Sequence, residues 1–418
     1  MTTRDDCVAL DRADPLARLR DLFSVPAGTI YLDGNSLGVM PAATPARVSQ
    51  AVQQEWGAGL IGSWNSAGWM ALPQRVGDKI ARLVGAGPGE VVAADSTSVN
   101  LFKVLSAALS ITQADAPARR QIVSERSNFP TDLYIAEALA HERGCELVLV
   151  EPDEIGARLG KDVAVLMLTH VNYRSGRMHD MASITRAAHE AGSLVVWDLA
   201  HSAGAVPVDL KAAQADFAVG CGYKYLNGGP GAPAFVWVNT RHVDRFWQPL
   251  AGWIGHAAPF EFTPGYRPAS GIARYLCGTP PVLQLAALEC GVDTVLAAEA
   301  HGGMAALRTK SLALTRLFAD LVDGRCAGHG LEVVSPRDDA VRGSQVCLAR
   351  EDGAYAIVQA LIARGVVGDF RAPDVLRFGF TPLYIGFAEV WDAVEHLRQV
   401  MASGEWQQAR FNQRAAVT

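Results

Sequence analysis

Short apolar runs alternate with helical patterns along residues 78–240 of the chain. The strand-like runs lie in "EVVAAD" (residues 90–95) and at Gln121–Ser124, Glu146–Val150, Val163–Thr169, Leu194–Asp198, Asp216–Cys221 and Ala232–Val238. Apolar residues at helical spacing fill intervening segments such as Asp132–His141 and Ile184–Ala191. Apolar strands separated by helices need crossover connections, so an α/β fold is predicted, with a mainly parallel sheet covered by helices on both faces.

The pattern changes after residue 280. Long helical patterns at Val282–Ala300 and Met304–Val322 are followed by strand-like runs at Leu331–Val334 and Gln345–Leu348, and then by further helical patterns. This mixture predicts a smaller α+β domain over residues 281–418.

The first 45 residues carry weaker signals. We predict a short helix over Asp14–Phe23, with Pro15 just inside its start. A brief strand is predicted at Thr29–Leu32. Residues 1–45 are therefore expected to be an N-terminal arm that joins the small domain, and residues 46–280 to be the large domain.

Composition narrows the class of protein. Of 418 residues, 50% are hydrophobic and 19% charged, which favours a large buried core. A net charge of −6 argues against a general nucleic-acid binder. No apolar stretch reaches membrane-spanning length, and residues 1–10 lack the apolar core of a secretory signal, so the cytoplasm is the expected location. The seven cysteines form no CxxC pair, which argues against a disulfide framework or a structural zinc site.

Two charged residues stand at the ends of predicted parallel strands. Asp198 ends one apolar run, and Lys224 follows another inside the glycine-rich "CGYKYLNGGPG". Ligands of open parallel sheets bind beyond the carboxyl ends of the strands. A lysine among small apolar residues loses hydration, which favours the neutral amine that forms a Schiff base. A carboxylate suits a pyridinium nitrogen, so the pair predicts a pyridoxal-phosphate site. Taken singly, Asp198 could be a helix N-cap and Lys224 a solvated loop residue.

A phosphate-binding segment is also predicted. Ser96, Thr97 and Ser98 directly precede an apolar-periodic helix, whose free N–H groups and dipole favour an anion. An ordinary N-cap is the alternative for these hydroxyls. Tyr223 could add another donor, or could be a core aromatic residue.

Several motifs together carry a family resemblance. "YLDGNSLG", "SNFPTD", "WDLAHSAG", "GYKYLNGGPG", "GWIGH" and "GTPP" resemble the class V aminotransferase-like group of fold type I pyridoxal-phosphate enzymes. Within that group the chain is most similar to the hydrolases that cleave the Cβ–Cγ bond of L-kynurenine. The likeness runs from about Leu32 to Tyr384. It implies a mainly parallel seven-stranded sheet in the large domain, a smaller α+β C-terminal domain, and a homodimer with shared active sites.

The resemblance also implies roles for individual residues. Catalytic roles are expected for Lys224, which holds the cofactor, and for Asp198 and Tyr223. The residues expected to contact pyridoxal 5'-phosphate are Thr97, Ser98, Phe129, Pro130, Thr131, Asp132, Thr169, Asp198, His201, Tyr223 and Lys224, with Trp253 and Thr279 reaching the phosphate from the neighbouring subunit. Those expected to bind substrate are Arg377, for the α-carboxylate, and Asn35, Ser36 and Trp64, for the aromatic end.

The implied reaction is the hydrolysis of L-kynurenine to anthranilate and L-alanine in tryptophan catabolism. 3-Hydroxykynurenine is a further candidate substrate. The animal enzymes carry Asn where Thr279 stands and differ around Trp64, so the chain resembles the bacterial type that prefers kynurenine.

Other functions are weighed against this one. A cysteine desulfurase or selenocysteine lyase of the same class would need a nucleophilic cysteine such as Cys326 or Cys347. An aminotransferase of the class is also possible. A metal-dependent hydrolase could use His170 and His179, but the sequence has no HExxH motif and no metal ligand is predicted. A non-enzymatic binding module would leave the glycine-flanked Lys224 unexplained.

Overall fold

The computed structural model describes residues 2–246 and 248–414. The α-helices of these ranges are α1 (Arg4–Ala13), α2 (Thr44–Gln50), α3 (Ser63–Ser66), α4 (Leu72–Leu83), α5 (Thr97–Asp115), α6 (Pro130–Arg143), α7 (Ile155–Arg158), α8 (Met181–Glu190), α9 (Val282–Leu296), α10 (Gly303–Arg325), α11 (Ala354–Ala363) and α12 (Phe387–Ser403). The strands are β1 (Ile30–Tyr31), β2 (Val91–Ala94), β3 (Gln121–Glu125), β4 (Glu146–Val150), β5 (Val163–Thr169), β6 (Leu194–Asp198), β7 (Phe217–Gly220), β8 (Ala234–Val238), β9 (Glu332–Val333), β10 (Gln345–Ala349), β11 (Val366–Val367), β12 (Asp369–Arg371) and β13 (Val375–Gly379).

The largest sheet has seven strands in the order β2-β8-β7-β6-β5-β3-β4. Strand β8 runs antiparallel to the other six strands, which all share one direction. The predicted mainly parallel seven-stranded sheet is therefore confirmed. Each face carries its own core, because alternate side chains of a strand point to opposite faces. On β6, for example, Val196 packs in one core and Trp197 in the other, and both are fully buried.

A second sheet of four antiparallel strands, in the order β12-β13-β10-β9, lies in the C-terminal part of the chain. Helices α10 and α12 pack against each other, and α10 also contacts β10. The N-terminal segment joins this part, since β1 pairs in parallel with β11 and α1 packs on α12. These contacts support the predicted arm, while the boundaries 1–45, 46–280 and 281–418 stay predictions.

The N-terminal helix lies earlier than predicted. Instead of a helix over Asp14–Phe23, the structure has α1 and then a short 3-10 segment, Ala17–Leu22. Helix α1 begins where it does because Thr3 and Asp6 cap each other reciprocally: the Thr3 hydroxyl accepts from the Asp6 N–H, and the Asp6 carboxylate accepts from the Thr3 N–H. The helix is mostly exposed, and only Cys7 of its residues is buried. Apolar periodicity therefore could not reveal it.

No helix in the described residues combines the length and the apolar character needed to cross a membrane.

The contact between α4 and β2 depends on a glycine and yields a stability prediction. A Cβ on Gly77 would lie 2.1 Å from the carbonyl oxygen of Val91, so Gly77→Ala must push the helix off the sheet. We expect a loss of about 1–3 kcal/mol of stability, seen as a lower melting temperature. The control is Gly156→Ala in α7, where a Cβ would meet nothing within 4 Å. Equal melting temperatures for the two variants would contradict this packing.

Candidate active site

The predicted pair of strand-end residues meets at one edge of the main sheet. Thr169 ends β5 and lies in register with Asp198, which ends β6. Lys224 follows the end of the adjacent strand β7. Parallel strands bring their carboxyl ends to a common edge, which is why residues far apart in the chain converge here.

A cavity of about 130 Å³ lies at this edge. Its lining consists of Ser96, Thr97, Ser98, Phe129, Asp132, Thr169, Tyr173, Asp198, Ala200, His201, Tyr223 and Lys224. Most of the residues predicted to hold a cofactor therefore share one cavity. Pro130 and Thr131 form the first turn of α6 directly after Phe129 but do not line it.

Two buried carboxyl groups form the floor of the site. The Oγ1 atom of Thr169 lies 3.4 Å from Oδ2 of Asp198 and 3.5 Å from Oδ2 of Asp132. The other oxygen of Asp198 accepts from the N–H of Ala200 at 2.9 Å. Burial raises the pKa of both carboxyl groups, and the Asp198 charge raises that of Asp132 further. A cationic ring nitrogen would relieve this repulsion, so the pair fits a pyridinium ligand.

Lys224 is half-buried and faces His201. Its Nζ atom lies 3.0 Å from Nε2 of His201 and 5.6 Å from the centre of the Tyr223 ring. Burial, followed by the charge of Lys224, lowers the pKa of His201 well below its usual value, so this imidazole is neutral. Gly38 of the "GNSLG" motif packs on the same loop: its N–H donates to the carbonyl of Tyr223 at 2.8 Å. A Cβ at Gly38 would lie 2.4 Å from the carbonyl oxygen of Lys224.

An anion-binding segment and an apolar ring complete the cavity. Ser96 caps α5 by accepting from the N–H of Val99, so the N-cap alternative holds for Ser96, while Thr97 and Ser98 form the first turn and line the cavity. Burial raises the pKa of Tyr223, which keeps its hydroxyl protonated as a donor. Phe129 is 43% exposed although it is a large apolar residue. Hydroxyl donors at a helix N-terminus and an uncovered ring fit the phosphate and the ring of pyridoxal phosphate.

Arg377 on β13 is buried and held by a carboxylate of the chain itself. Its Nε donates to Oδ1 of Asp369 at 2.8 Å, and its Nη2 donates to the other oxygen. Nη1 donates to the carbonyl of Tyr173 at 2.8 Å, and Nη2 to the hydroxyl of Ser36 at 2.7 Å. A guanidinium has five N–H donors, so one on Nη1 is left. A bidentate grip on a ligand carboxylate would require release of Asp369 or Ser36.

The remaining predicted residues lie outside the cavity. Asn35 is fully buried and packs against Gly379. Trp64 and Trp253 contact each other, with ring centres 5.7 Å apart, and Thr279 is exposed. The predicted substrate residues Asn35, Ser36 and Arg377 thus lie together beside β13. Trp64 lies apart from them and contacts Trp253, which is predicted to serve a neighbouring subunit.

Sequence reasoning missed Tyr173, Asp369 and Gln345. Tyr173 lines the cavity, with its ring edge-on to Phe129 at 5.4 Å, and its carbonyl binds Arg377. Its position directly after a strand-end segment was an available signal. Asp369 and Gln345 come from the second sheet, and no local pattern links them to the strand ends of the first.

The nucleophilic-cysteine and metal-dependent alternatives find no support in the geometry. Cys326 and Cys347 are buried, and burial raises the pKa of both thiols to about 11, whereas a nucleophilic cysteine is accessible and has a lowered pKa. His170 pairs with Ser202, and His179 with Glu125. Within residues 2–246 and 248–414, no group of three or more His, Cys, Asp or Glu side chains could hold a metal ion.

Fold and site together define a class V aminotransferase-like enzyme. Residues 30–350 match the aminotransferase class-V family, and residues 307–397 match the kynureninase C-terminal domain. The kynureninases of Pseudomonas fluorescens and Burkholderia pseudomallei (strain K96243) are 57% and 56% identical to the chain over 421 residues, covering 100% of both sequences in each case. The chain therefore belongs to the kynureninase family, as its motifs indicated.

Solved structures support the fold. The apo cysteine desulfurase of Thermococcus onnurineus NA1 superposes with a TM-score of 0.78 at 18% identity, over 92% of this chain and 98% of that one. The cysteine desulfurase CsdA of Escherichia coli gives 0.75 at 19% identity, over 93% and 98%. At such identities the likeness concerns the fold, and it confirms the fold type I architecture.

Asp33 of the "YLDGNSLG" motif lies near Asp369 and Arg377, and its buried carboxyl group yields a pH prediction. Burial, followed by the charge of Asp369, raises the pKa of Asp33 to about 8. The native state thus keeps a proton that the unfolded chain releases near pH 4. The contribution of Asp33 to the free energy of unfolding is fully present below about pH 4 and is lost as the pH rises through about 8. Between pH 6 and pH 9, the melting temperature of Asp33→Asn should therefore fall less than that of the wild type.

The matched control is Asp323→Asn, which removes a 54% exposed carboxylate. Its melting temperature should follow the wild type at both pH values. An equal fall in the melting temperatures of the wild type and Asp33→Asn would contradict the raised pKa of Asp33.

Proposed function

We propose that the chain hydrolyses the Cβ–Cγ bond of L-kynurenine to anthranilate and L-alanine, with pyridoxal phosphate held on Lys224. The observation that carries this is the meeting of Lys224, His201 and the Asp198–Asp132 pair in one cavity. Membership of the kynureninase family gives the substrate its name. The activity belongs to tryptophan catabolism, and turnover of 3-hydroxykynurenine would connect it to NAD biosynthesis.

The residues that would hold the cofactor follow from the fit of the cavity. When bound, the cofactor supplies an electron sink for carbanion character at the substrate. Asp198 and Asp132 would face its ring nitrogen, and Phe129 would stack on the ring. Thr97, Ser98 and Tyr223 would bind the phosphate. Thr169 lies beside both carboxylates, and Pro130 and Thr131 keep Phe129 at the start of α6.

Proton transfer falls to the half-buried side chains around Lys224. Its amine, 3.0 Å from the neutral His201, is the base that removes the proton from the substrate α-carbon. The contact with His201 keeps the Lys224 amine directed into the cavity. The Tyr223 hydroxyl, kept protonated by burial, is the donor that returns a proton to Cβ before alanine leaves.

Substrate binding would use the second sheet. Arg377 offers the α-carboxylate its remaining Nη1 donor, in a charge-assisted hydrogen bond. Asn35, Ser36 and Trp64 would contact the aromatic end. The Thr at position 279 and the Trp at position 64 favour kynurenine over its 3-hydroxy form.

The role of Lys224 gives a direct test. Lys224→Ala should lower turnover of L-kynurenine at least about 10³-fold, because it removes both the covalent anchor and the base. The assay is the release of fluorescent anthranilate. In the wild type, borohydride should bleach the visible band of the bound cofactor and add its mass at Lys224.

Lys211→Ala is the control for loss of a lysine, since Lys211 pairs at the surface with Glu90. It should keep wild-type activity and colour. A Lys224→Ala protein that retained a tenth of the activity would rule out the scheme.

We also propose a cytoplasmic homodimer with shared sites. The rings of Trp64, Trp253, Phe260 and Phe262 contact one another in series, and Phe260 and Phe262 are 61% and 78% exposed. Exposed apolar surface on this scale is typical of an interface. A second copy on this face would bring Trp253 and Thr279 of each subunit toward the phosphate in the other subunit's site.

Mixed dimers test this sharing. A dimer of one Lys224→Ala subunit and one Trp253→Ala subunit, purified through two different tags, contains one wild-type site if Trp253 acts on its partner. We expect about half of wild-type activity, from two variants that are each impaired as homodimers. Action within one subunit would instead leave the mixed dimer as impaired as its parents.

A further inference from the structure

Gln345 carries a fully buried amide between the two sheets. It is the first residue of β10, pairs with Gly379 of β13, and is 0% exposed. A buried amide is costly unless its donors and acceptor are bonded. The position of Gln345 next to the active-site cavity therefore calls for a role.

One end of this amide is fixed by the loop that carries Tyr173. Its Nε2 donates to the carbonyl of Tyr173 at 3.0 Å. A carbonyl oxygen only accepts, so the amide cannot be turned around without losing this bond. The oxygen Oε1 is consequently the end that remains for another partner.

His201 is the candidate for that partner. Its Nε2 faces Lys224 at 3.0 Å, and its ring is buried. In the described part of the chain Nδ1 of His201 and Oε1 of Gln345 are both buried without a hydrogen-bond partner. The Gln345 side chain lies close enough to the imidazole to raise the pKa of His201, as an acceptor does, against the larger lowering by burial and by the charges of Lys224, Arg377 and Arg371.

We propose that Gln345 is a positioning residue that holds His201 in the tautomer with the proton on Nδ1, so that Nε2 faces Lys224 as an acceptor. A neutral imidazole has one N–H, and whichever nitrogen carries it decides what the other can do. With the proton on Nδ1 donated to Gln345, Nε2 can take a hydrogen bond from the Lys224 amine. The inference rests on the proposed role of Lys224 as the base.

The same amide connects the lysine to the substrate-carboxylate residues. The carbonyl of Tyr173 accepts from both Nε2 of Gln345 and Nη1 of Arg377. With the proposed His201–Gln345 bond, a continuous line of polar contacts runs from Lys224 through His201, Gln345 and Tyr173 to Arg377. Removal of the amide breaks this line at its centre.

Nitrogen NMR of the cofactor-loaded protein, labelled with ¹⁵N-histidine, reads the tautomer directly. His201→Ala identifies the His201 signals by their loss. We expect the wild type to show a protonated Nδ1 and an unprotonated Nε2. Gln345→Met keeps the length of the side chain but removes its hydrogen bonds, and it should abolish this pattern.

Kinetics separate positioning from support of the Arg377 loop. Gln345→Met should lower kcat for L-kynurenine about 10- to 100-fold, with a smaller change in KM. Val346→Ala, a cavity variant of the neighbouring β10 residue, controls for loss of stability and should keep the wild-type tautomer. Unchanged His201 signals in Gln345→Met, or a rise in KM at constant kcat, would overturn the proposal. The NMR result needs no turnover, so a wild type inactive on L-kynurenine would count against the proposed function alone.

Discussion

The burial of charge at the carboxyl edge of the parallel sheet is the constraint on which the site depends. Asp198 ends the central strand β6 with its carboxylate almost out of water, and Asp132 joins it there. Two such groups cannot both stay ionised without cations nearby. The sheet provides Lys224 from the next strand end, and a pyridinium would provide the rest. Burial of these carboxylates is unfavourable when the site is empty, and the same burial makes the site specific for a cationic ring.

Much of the fold could be predicted because buried parallel strands are written as continuous apolar runs. The bounds of β4, β5 and β6 follow directly from Glu146–Val150, Val163–Thr169 and Leu194–Asp198. Helix α1 escaped prediction because most of its surface is in water, and the competing signal of Pro15 favoured a later start. Its capping pair, Thr3 and Asp6, was the signal that periodicity could not supply.

The site divides along the same line. Asp198, Lys224, Thr97 and Ser98 stand where strands end or helices begin, so their positions could be deduced from local patterns. Gln345 and Asp369 could not, because they lie on the second sheet and are linked to the site only through their contacts with Tyr173 and Arg377. The one free donor of Arg377 likewise depends on Asp369 of the neighbouring strand and on two partners distant in sequence, Ser36 and Tyr173.

The segment 30–38 is bonded at one end to the chain at β11 and at the other end to the loop that carries Lys224. Ile30 and Leu32 donate to the backbone beside β11, and Gly379 next to Arg377 donates to Leu32. A few residues on, Gly38 is bonded to the carbonyl of Tyr223. This strip of chain is a tether of fixed length between the arginine strand and the lysine loop. A displacement of the four-stranded sheet would therefore pass through this segment to the lysine loop, which couples the position of Arg377 to that of Lys224.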